Sequence, residues 1–150
     1  MSFLYRKRLG RGYTAIVEAG DPHLRYIEFG VLRLGPGEHY QEETLDREVA
    51  LIGLSGRCAV RCGQLEWSPL GDRPSVFLGR AWAAYIPPGE RYEVIGEGEA
   101  DIAICGAKVG QFTGRPRLIT PAEVAVRSVG RENWRRDVFD VIGPQVEASR

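Results

Sequence analysis

The stretch Gly35-Pro36-Gly37-Glu38-His39-Tyr40-Gln41-Glu42-Glu43-Thr44-Leu45-Asp46-Arg47-Glu48-Val49-Ala50-Leu51-Ile52-Gly53-Leu54-Ser55-Gly56 decides the fold. Gly35-Pro36-Gly37 is a turn signal. The apolar run 49–54 follows it and predicts a strand over 48–54, with Ser55-Gly56 as a tight turn into a second strand over 57–62. A later stretch answers the first: Gly79-Arg80-Ala81-Trp82-Ala83-Ala84-Tyr85-Ile86-Pro87-Pro88-Gly89-Glu90-Arg91-Tyr92-Glu93-Val94.

Outward from these two frames the chain keeps the same rhythm. Strands are expected at 13–17, at 25–34 with Gly30 as a bulge or close approach, at 75–78 and at 83–86. A loop with a short hairpin is expected over 63–73, and strands over 92–95 and 100–105 pair across a hairpin loop at 96–99. Turn signals recur roughly every 8–12 residues, the spacing of an all-β sandwich or barrel. Beyond residue 114 the pattern changes. Residues 115–120 read as extended, Thr120-Pro121-Ala122-Glu123 as a capped turn, and 124–129 as a strand. The expectation is one domain over 1–150: a barrel over about 13–110 and a C-terminal extension over about 115–150.

Composition narrows the function classes. Twenty basic residues balance twenty acidic ones, so no electrostatic case exists for nucleic acid. Arg131, Arg135 and Arg136 beside Trp134 read instead as an exposed face or a subunit contact. No apolar run approaches the ~20 residues of a membrane span. The N-terminus lacks the apolar core of a signal peptide, so the expected compartment is the cytoplasm. Cys58 and Cys62 share one predicted strand but stand ~13 Å apart at ~3.3 Å per residue, too far to bridge. The three cysteines are expected as small buried residues.

The two frames resemble those of a cupin. The cupin pattern places His-x-His, then Glu, then Gly in the first frame, and Pro-x-Gly-x-x-His in the second. Three His and one Glu then hold a divalent metal in the barrel mouth. Here Glu48 and Gly56 keep the Glu and the Gly, the two His fall around Gln41 and Glu43, and Tyr92 takes the third His position. The fold expected from this is an all-β, cupin-like jelly-roll barrel with its metal set emptied. His23 and His39 are the only histidines, too few for such a site. No metal and no cofactor is expected in this chain.

Further motifs carry a closer resemblance. Gly71-Asp72-Arg73-Pro74-Ser75-Val76-Phe77, Ala84-Tyr85-Ile86-Pro87-Pro88-Gly89, Glu99-Ala100-Asp101-Ile102-Ala103 and Gly130-Arg131-Glu132-Asn133-Trp134-Arg135-Arg136-Asp137-Val138 occur in that order. In order and spacing the chain resembles the N-terminal half of the 5-deoxy-glucuronate isomerases of inositol catabolism. Uronate ketol-isomerases of pectin degradation belong to the same superfamily. The resemblance implies a bicupin of about twice this length, with the metal ligands in the other cupin. This chain would then be a separately encoded half, a truncated product or a fragment. No catalytic residue carries over.

Five residues remain as candidates for a sugar-acid pocket at the barrel mouth: Gln41, Glu43, Glu48, Arg91 and Tyr92. Glu42 stands beside them. An Arg near carboxylates can take a sugar acid bidentately. The alternative is a mouth filled by side chains, as in many small barrels. The function implied is aldose–ketose isomerisation of a sugar acid, or a non-catalytic cupin used for binding or assembly. Expected partners are a sugar-acid ligand, and either further copies of the chain or a separate catalytic cupin half. Trp134, Val138, Phe139, Val141 and Ile142 supply the apolar surface for self-association.

Overall fold

Two long strands carry the fold. In the computed structural model, which describes residues 4–110, 112 and 114–149, β4 (Arg47–Cys62) and β7 (Arg91–Lys108) pair antiparallel along nearly their whole length. Around them lie β1 (Gly12–Val17), β2 (Glu28–Leu34), β3 (His39–Glu43), β5 (Leu65–Leu70), β6 (Ala83–Ile86) and β8 (Arg117–Ile119). The order β1-β2-β7-β4-β6-β8 forms one layer, while β3 joins β7 and β5 joins β4 to form the other. No α-helix occurs among the described residues, and none is long and apolar enough to cross a membrane.

The long strands serve both layers because they bend. β7 uses its second half against β2 and its first half against β3. β4 changes register between Gly53 and Ser55 and again between Gly56 and Cys58. Gly56 has φ +78°, and a Cβ there would lie 1.8 Å from the Glu99 carbonyl oxygen. Only glycine allows the two strands to cross so closely in that conformation. Residues 55–56 are therefore a bulged bend inside one strand, not the expected turn between two. The expected hairpin at 96–99 is likewise continuous β7. Gly96 donates to the Glu38 carbonyl and accepts from the Gly37 amide, which draws the 35–38 turn onto it.

The result is an all-β cupin jelly roll. Its hydrogen-bonded order is open between β1 and β8 among the described residues, so the layers face each other without closing as one barrel. Leu32, Leu34, Val49, Leu51, Ile102 and Ile104 from one layer meet Val60, Cys62, Tyr92 and Val94 from the other. Leu51 is fully buried, and truncating such a residue to Ala costs about 2–5 kcal/mol.

Residues 75–78, expected as a strand, form an exposed turn instead. Arg73 ties the start of this loop to the Gly53 carbonyl at 2.5 Å, and Phe77 at its tip is 91% exposed. Among the described residues the loop pairs with no strand, so its apolar residues do not amount to one.

The C-terminal segment covers the outer face of the first layer. Ile119, Val124 and Val146 bury Ala83 and Tyr85, with Val141, Ile142 and Ala148 packed against them. Thr120 and Glu123 form the expected cap, the Thr120 amide and hydroxyl both donating to Glu123 Oε2. β9 (Ala125–Val129) and β10 (Arg136–Asp140), joined through a 3-10 turn at Glu132–Trp134, form a separate two-stranded hairpin.

Candidate functional site

Strand alternation decides which side chains enter the interior. Along β3 the half-buried residues are Tyr40 and Glu42, while His39, Gln41 and Glu43 are exposed. On β7, Tyr92 is buried and Arg91 is exposed. At the start of β4, Arg47 lies on the same side as Val49 and Leu51 of the core. The side chains turned inward at this end of the sandwich are thus Tyr40, Glu42, Arg47 and Tyr92, joined by Tyr13 and Glu28.

These groups form one network. Arg47 Nη2 donates to Glu42 Oε1 at 2.7 Å, and Arg47 Nη1 donates to Glu28 Oε2 at 2.7 Å. Glu42 Oε2 also accepts from the Tyr40 hydroxyl at 3.1 Å and from the Tyr92 hydroxyl. The Tyr40 ring stands 5.7 Å from Tyr13 and 6.4 Å from Tyr92. Gly30 makes room for the Tyr13 ring, since a Cβ there would lie 2.4 Å from it. That is the close approach expected at this glycine.

The electrostatics follow from these contacts. Burial alone would raise the Glu42 carboxyl, but its hydrogen bonds from Arg47, Tyr92 and Tyr40 outweigh it and hold the group below its ordinary value. Burial, then the Glu42 carboxylate, pushes the Tyr92 hydroxyl up. Burial and the same carboxylate do likewise at Tyr40. The tyrosines therefore stay protonated at neutral pH and act as donors. Glu42 stays ionised and saturated with donors, a poor general base.

A dication does not fit here. The inward positions of the cupin frame hold two phenols, one carboxylate and a guanidinium. Arg47 already supplies the cation, and it cannot act as a ligand. Among the described residues no three His, Cys, Asp or Glu side chains converge.

Of the five residues singled out from the sequence, only Tyr92 points into this cluster. Gln41 and Arg91 do meet, with Arg91 Nη2 donating to Gln41 Oε1 at 2.9 Å, but on the outer face of β3 and β7. There Gln41 and His39 also contact Glu93. Glu43 lies on that exposed face too. Glu48 lies on the opposite outer face, 8% exposed, under the C-terminal segment. It accepts from the Tyr85 hydroxyl at 2.9 Å, the Ser149 amide at 2.9 Å and the Ser149 hydroxyl at 3.1 Å. A groove of about 340 Å³ opens beside it, lined chiefly by apolar groups such as Phe29, Ala50, Cys105, Ile142 and Ala148.

The residues not foreseen are Arg47, Tyr40, Glu28 and Tyr13. Tyr40 stands among polar neighbours on β3, and Arg47, Glu28 and Tyr13 lie on β4, β2 and β1, so no local sequence signal marks them as one group. The thiols offer no nucleophile: burial pushes Cys58 up to about 12 and Cys62 up to about 11. Cys58, Cys62 and Cys105 are all free.

Known proteins share this fold. The model of the KduI/IolB family matches residues 3–150. The chain belongs to the KduI/IolB family. Within it, a 5-deoxy-glucuronate isomerase of Geobacillus thermodenitrificans (strain NG80-2) is 31% identical over 118 residues, covering 78% of this chain and 43% of that protein. One from Bacillus subtilis (strain 168) is 29% identical over 149 residues, covering 95% of this chain and 55% of that protein. The chain thus spans about half the length of the curated relatives it matches. Among solved structures, an IolB-like protein from Salmonella typhimurium LT2 superposes with TM-score 0.83 at 25% identity, over 93% of this chain and 53% of that one. Protein Ylba from E. coli shares the fold alone, with TM-score 0.60 at 12% identity over 76% of this chain and 46% of that one.

Proposed function

We propose that this KduI/IolB-family chain serves sugar-acid ketol isomerisation, as in inositol catabolism, as the cupin half that carries no metal. In this reading 5-deoxy-glucuronate is the substrate of the whole enzyme, and the chemistry belongs to a second cupin. The observation that carries it is Arg47 held between Glu28 and Glu42, a built-in cation beside the only inward carboxylates of this cluster. Moving a proton between adjacent carbons needs a base and an electrophile that stabilises the enediolate. The interior cluster supplies neither, because Glu42 is saturated and the cation is already neutralised. Its two carboxylates also outnumber the one guanidinium, which disfavours a uronate at that end. The role left is assembly and support.

Two assays test this. The chain alone, incubated with 5-deoxy-glucuronate with and without manganese or zinc, is expected to give no keto product at an enzyme-like rate. Elemental analysis of protein purified without chelators is expected to find metal far below one equivalent. Turnover near the ~10 s⁻¹ typical of enzymes would overturn the non-catalytic assignment. In a chimera, this chain replaces the matching segment of the Bacillus subtilis isomerase. Retained isomerase activity is expected. A folded but inactive chimera would count against the isomerase reading itself.

A further inference from the structure

We infer that β10 is a self-recognition edge: two copies of the chain join by antiparallel pairing of β10 about a two-fold axis through Val138. Among the described residues, β9 and β10 hydrogen-bond only to each other, which leaves the far edge of β10 open. A two-stranded ribbon is marginal in water, and a third or fourth strand with an apolar face is what makes it stable. The apolar surface is there. Val126 and Phe139 face each other across the hairpin and are 38% and 46% exposed, and Trp134 in the connecting turn is 76% exposed.

The sequence of the edge selects the partner. β10 reads Arg136-Asp137-Val138-Phe139-Asp140. Antiparallel pairing about Val138 sets Arg136 of each copy opposite Asp140 of the other, two opposite-charge contacts related by symmetry. Opposite-charge pairs facing each other across strands stabilise, and like charges there destabilise. The same operation on β9, centred on Arg127, would oppose two arginines, so the self-complementary edge is that of β10. Asp140 keeps capacity for it. Arg127 Nε donates to Asp140 Oδ2 at 2.7 Å and Arg127 Nη2 to Asp140 Oδ1 at 3.3 Å, and a carboxylate retains lone pairs for a second guanidinium. Arg136 is exposed and makes no ion pair among the described residues. Pairing would build the continuous sheet β9-β10-β10-β9 with Val126 and Phe139 of both copies on one face. A two-fold contact of this kind uses the same patch twice and closes at a dimer. The inference is independent of the reaction the family catalyses.

Sedimentation equilibrium of the whole chain tests it through charge reversal. Wild type is expected to be a dimer. Arg136→Asp alone opposes two carboxylates at each contact, and Asp140→Arg alone opposes two guanidinia. Each should dimerise at least about tenfold more weakly. An equimolar mixture restores both contacts. On one side of the axis the carboxylate introduced at position 136 meets the guanidinium introduced at position 140. On the other side the native Arg136 of one variant meets the native Asp140 of the other. Dimers should therefore return on mixing. A monomeric wild type, or a dimer that persists in both variants, would overturn the proposal. Failure to recover on mixing would also overturn it where both variants keep the wild-type circular dichroism spectrum. If Asp140→Arg disturbs the hairpin, Val138→Cys decides. The axis places position 138 against itself, so a short bis-maleimide should link two copies well above the wild-type background, and background-level linking would exclude this pairing.

Discussion

Arg47 and Glu42, 2.7 Å apart, close the end of the interior that Tyr40 and Tyr92 line. The cation is built into β4 instead of being taken from solution. Glu28 lies on its other side, also at 2.7 Å. The three side chains are 19–23% exposed, which puts them between a surface salt bridge and a buried triad.

That setting ranks the mutations. Arg47→Met leaves two carboxylates facing each other with no cation, and is expected to lower stability by about 2–3 kcal/mol, below the full buried-pair cost because of the partial exposure. Glu42→Gln keeps the shape but aims an NH2 group at either Arg47 or the two phenols, all of which donate to Glu42. Arg47 keeps Glu28, so the cost should be smaller, about 1–2 kcal/mol. Combining Arg47→Met with Glu28→Gln and Glu42→Gln removes the repulsion and should recover part of the loss. Urea unfolding midpoints measure all three. If Glu42→Gln proves the more damaging single change, the cluster is not organised around the guanidinium.

The same pair makes stability fall in acid. Burial works against the Glu42 carboxylate, but Arg47, Tyr92 and Tyr40 hold its folded pKa below the ordinary 4.5. As pH drops, the unfolded chain therefore takes up this proton first, and the equilibrium moves towards unfolding. Glu42's contribution is complete above 4.5 and is lost as pH passes through the lower folded value. Urea midpoints measured on both sides of that window should fall more steeply for wild type than for Glu42→Gln. Parallel curves would show that Glu42 ionises alike in both states.

Glu48 acts at a different place. Nearly buried, it clasps Tyr85 and Ser149. Tyr85→Phe removes one donor from a carboxylate that water barely reaches, and should cost about 1–3 kcal/mol. Glu48→Gln should loosen the C-terminal segment, seen as faster proteolysis after residue 140, without touching the interior cluster. An unchanged digestion pattern would show that Ile142 and Val146 hold the segment without help.

Much of this is legible in the sequence, and the failures have a common cause. Turn spacing and the two frames point to the all-β class, and the cap at Thr120 is visible from its residues. Ser55-Gly56 and the 96–99 stretch look like turns because glycine usually marks them. Here the glycines let two long strands bend and cross, which depends on the partner strand and not on local sequence. β3 carries no apolar alternation, since its inward residues are Tyr40 and Glu42, so it gives no strand signal. Without that signal the frame falls one residue late, at Gln41, Glu43 and Glu48. In a strand that shift exchanges the inside for the outside, which is why Arg47 and Tyr40 escape a reading of the sequence alone.

The register can be tested by refilling the frame. If Tyr40, Glu42, Arg47 and Tyr92 occupy the positions of the cupin ligands, then Tyr40→His, Glu42→His, Arg47→Glu and Tyr92→His together recreate three His and one Glu around one point. Their strands are already paired, Glu42 opposite Tyr92 and Tyr40 opposite Val94, so the backbone needs no rearrangement. Zinc takes His nitrogens at about 2.0–2.1 Å and accepts a carboxylate as fourth ligand. The quadruple variant loses the Arg47 ion pairs and should be less stable than wild type without metal. Adding cobalt or zinc should bind about one equivalent and raise its melting temperature, because a ligand that binds only the folded state stabilises it. A control carries Glu43→His, Arg57→His and Arg131→His beside native Glu48, with the same donor count at dispersed positions. It should gain no such site. Equal metal uptake by the two variants would show that the four refilled positions do not converge, and with it the assignment of Arg47 as the built-in cation would fall.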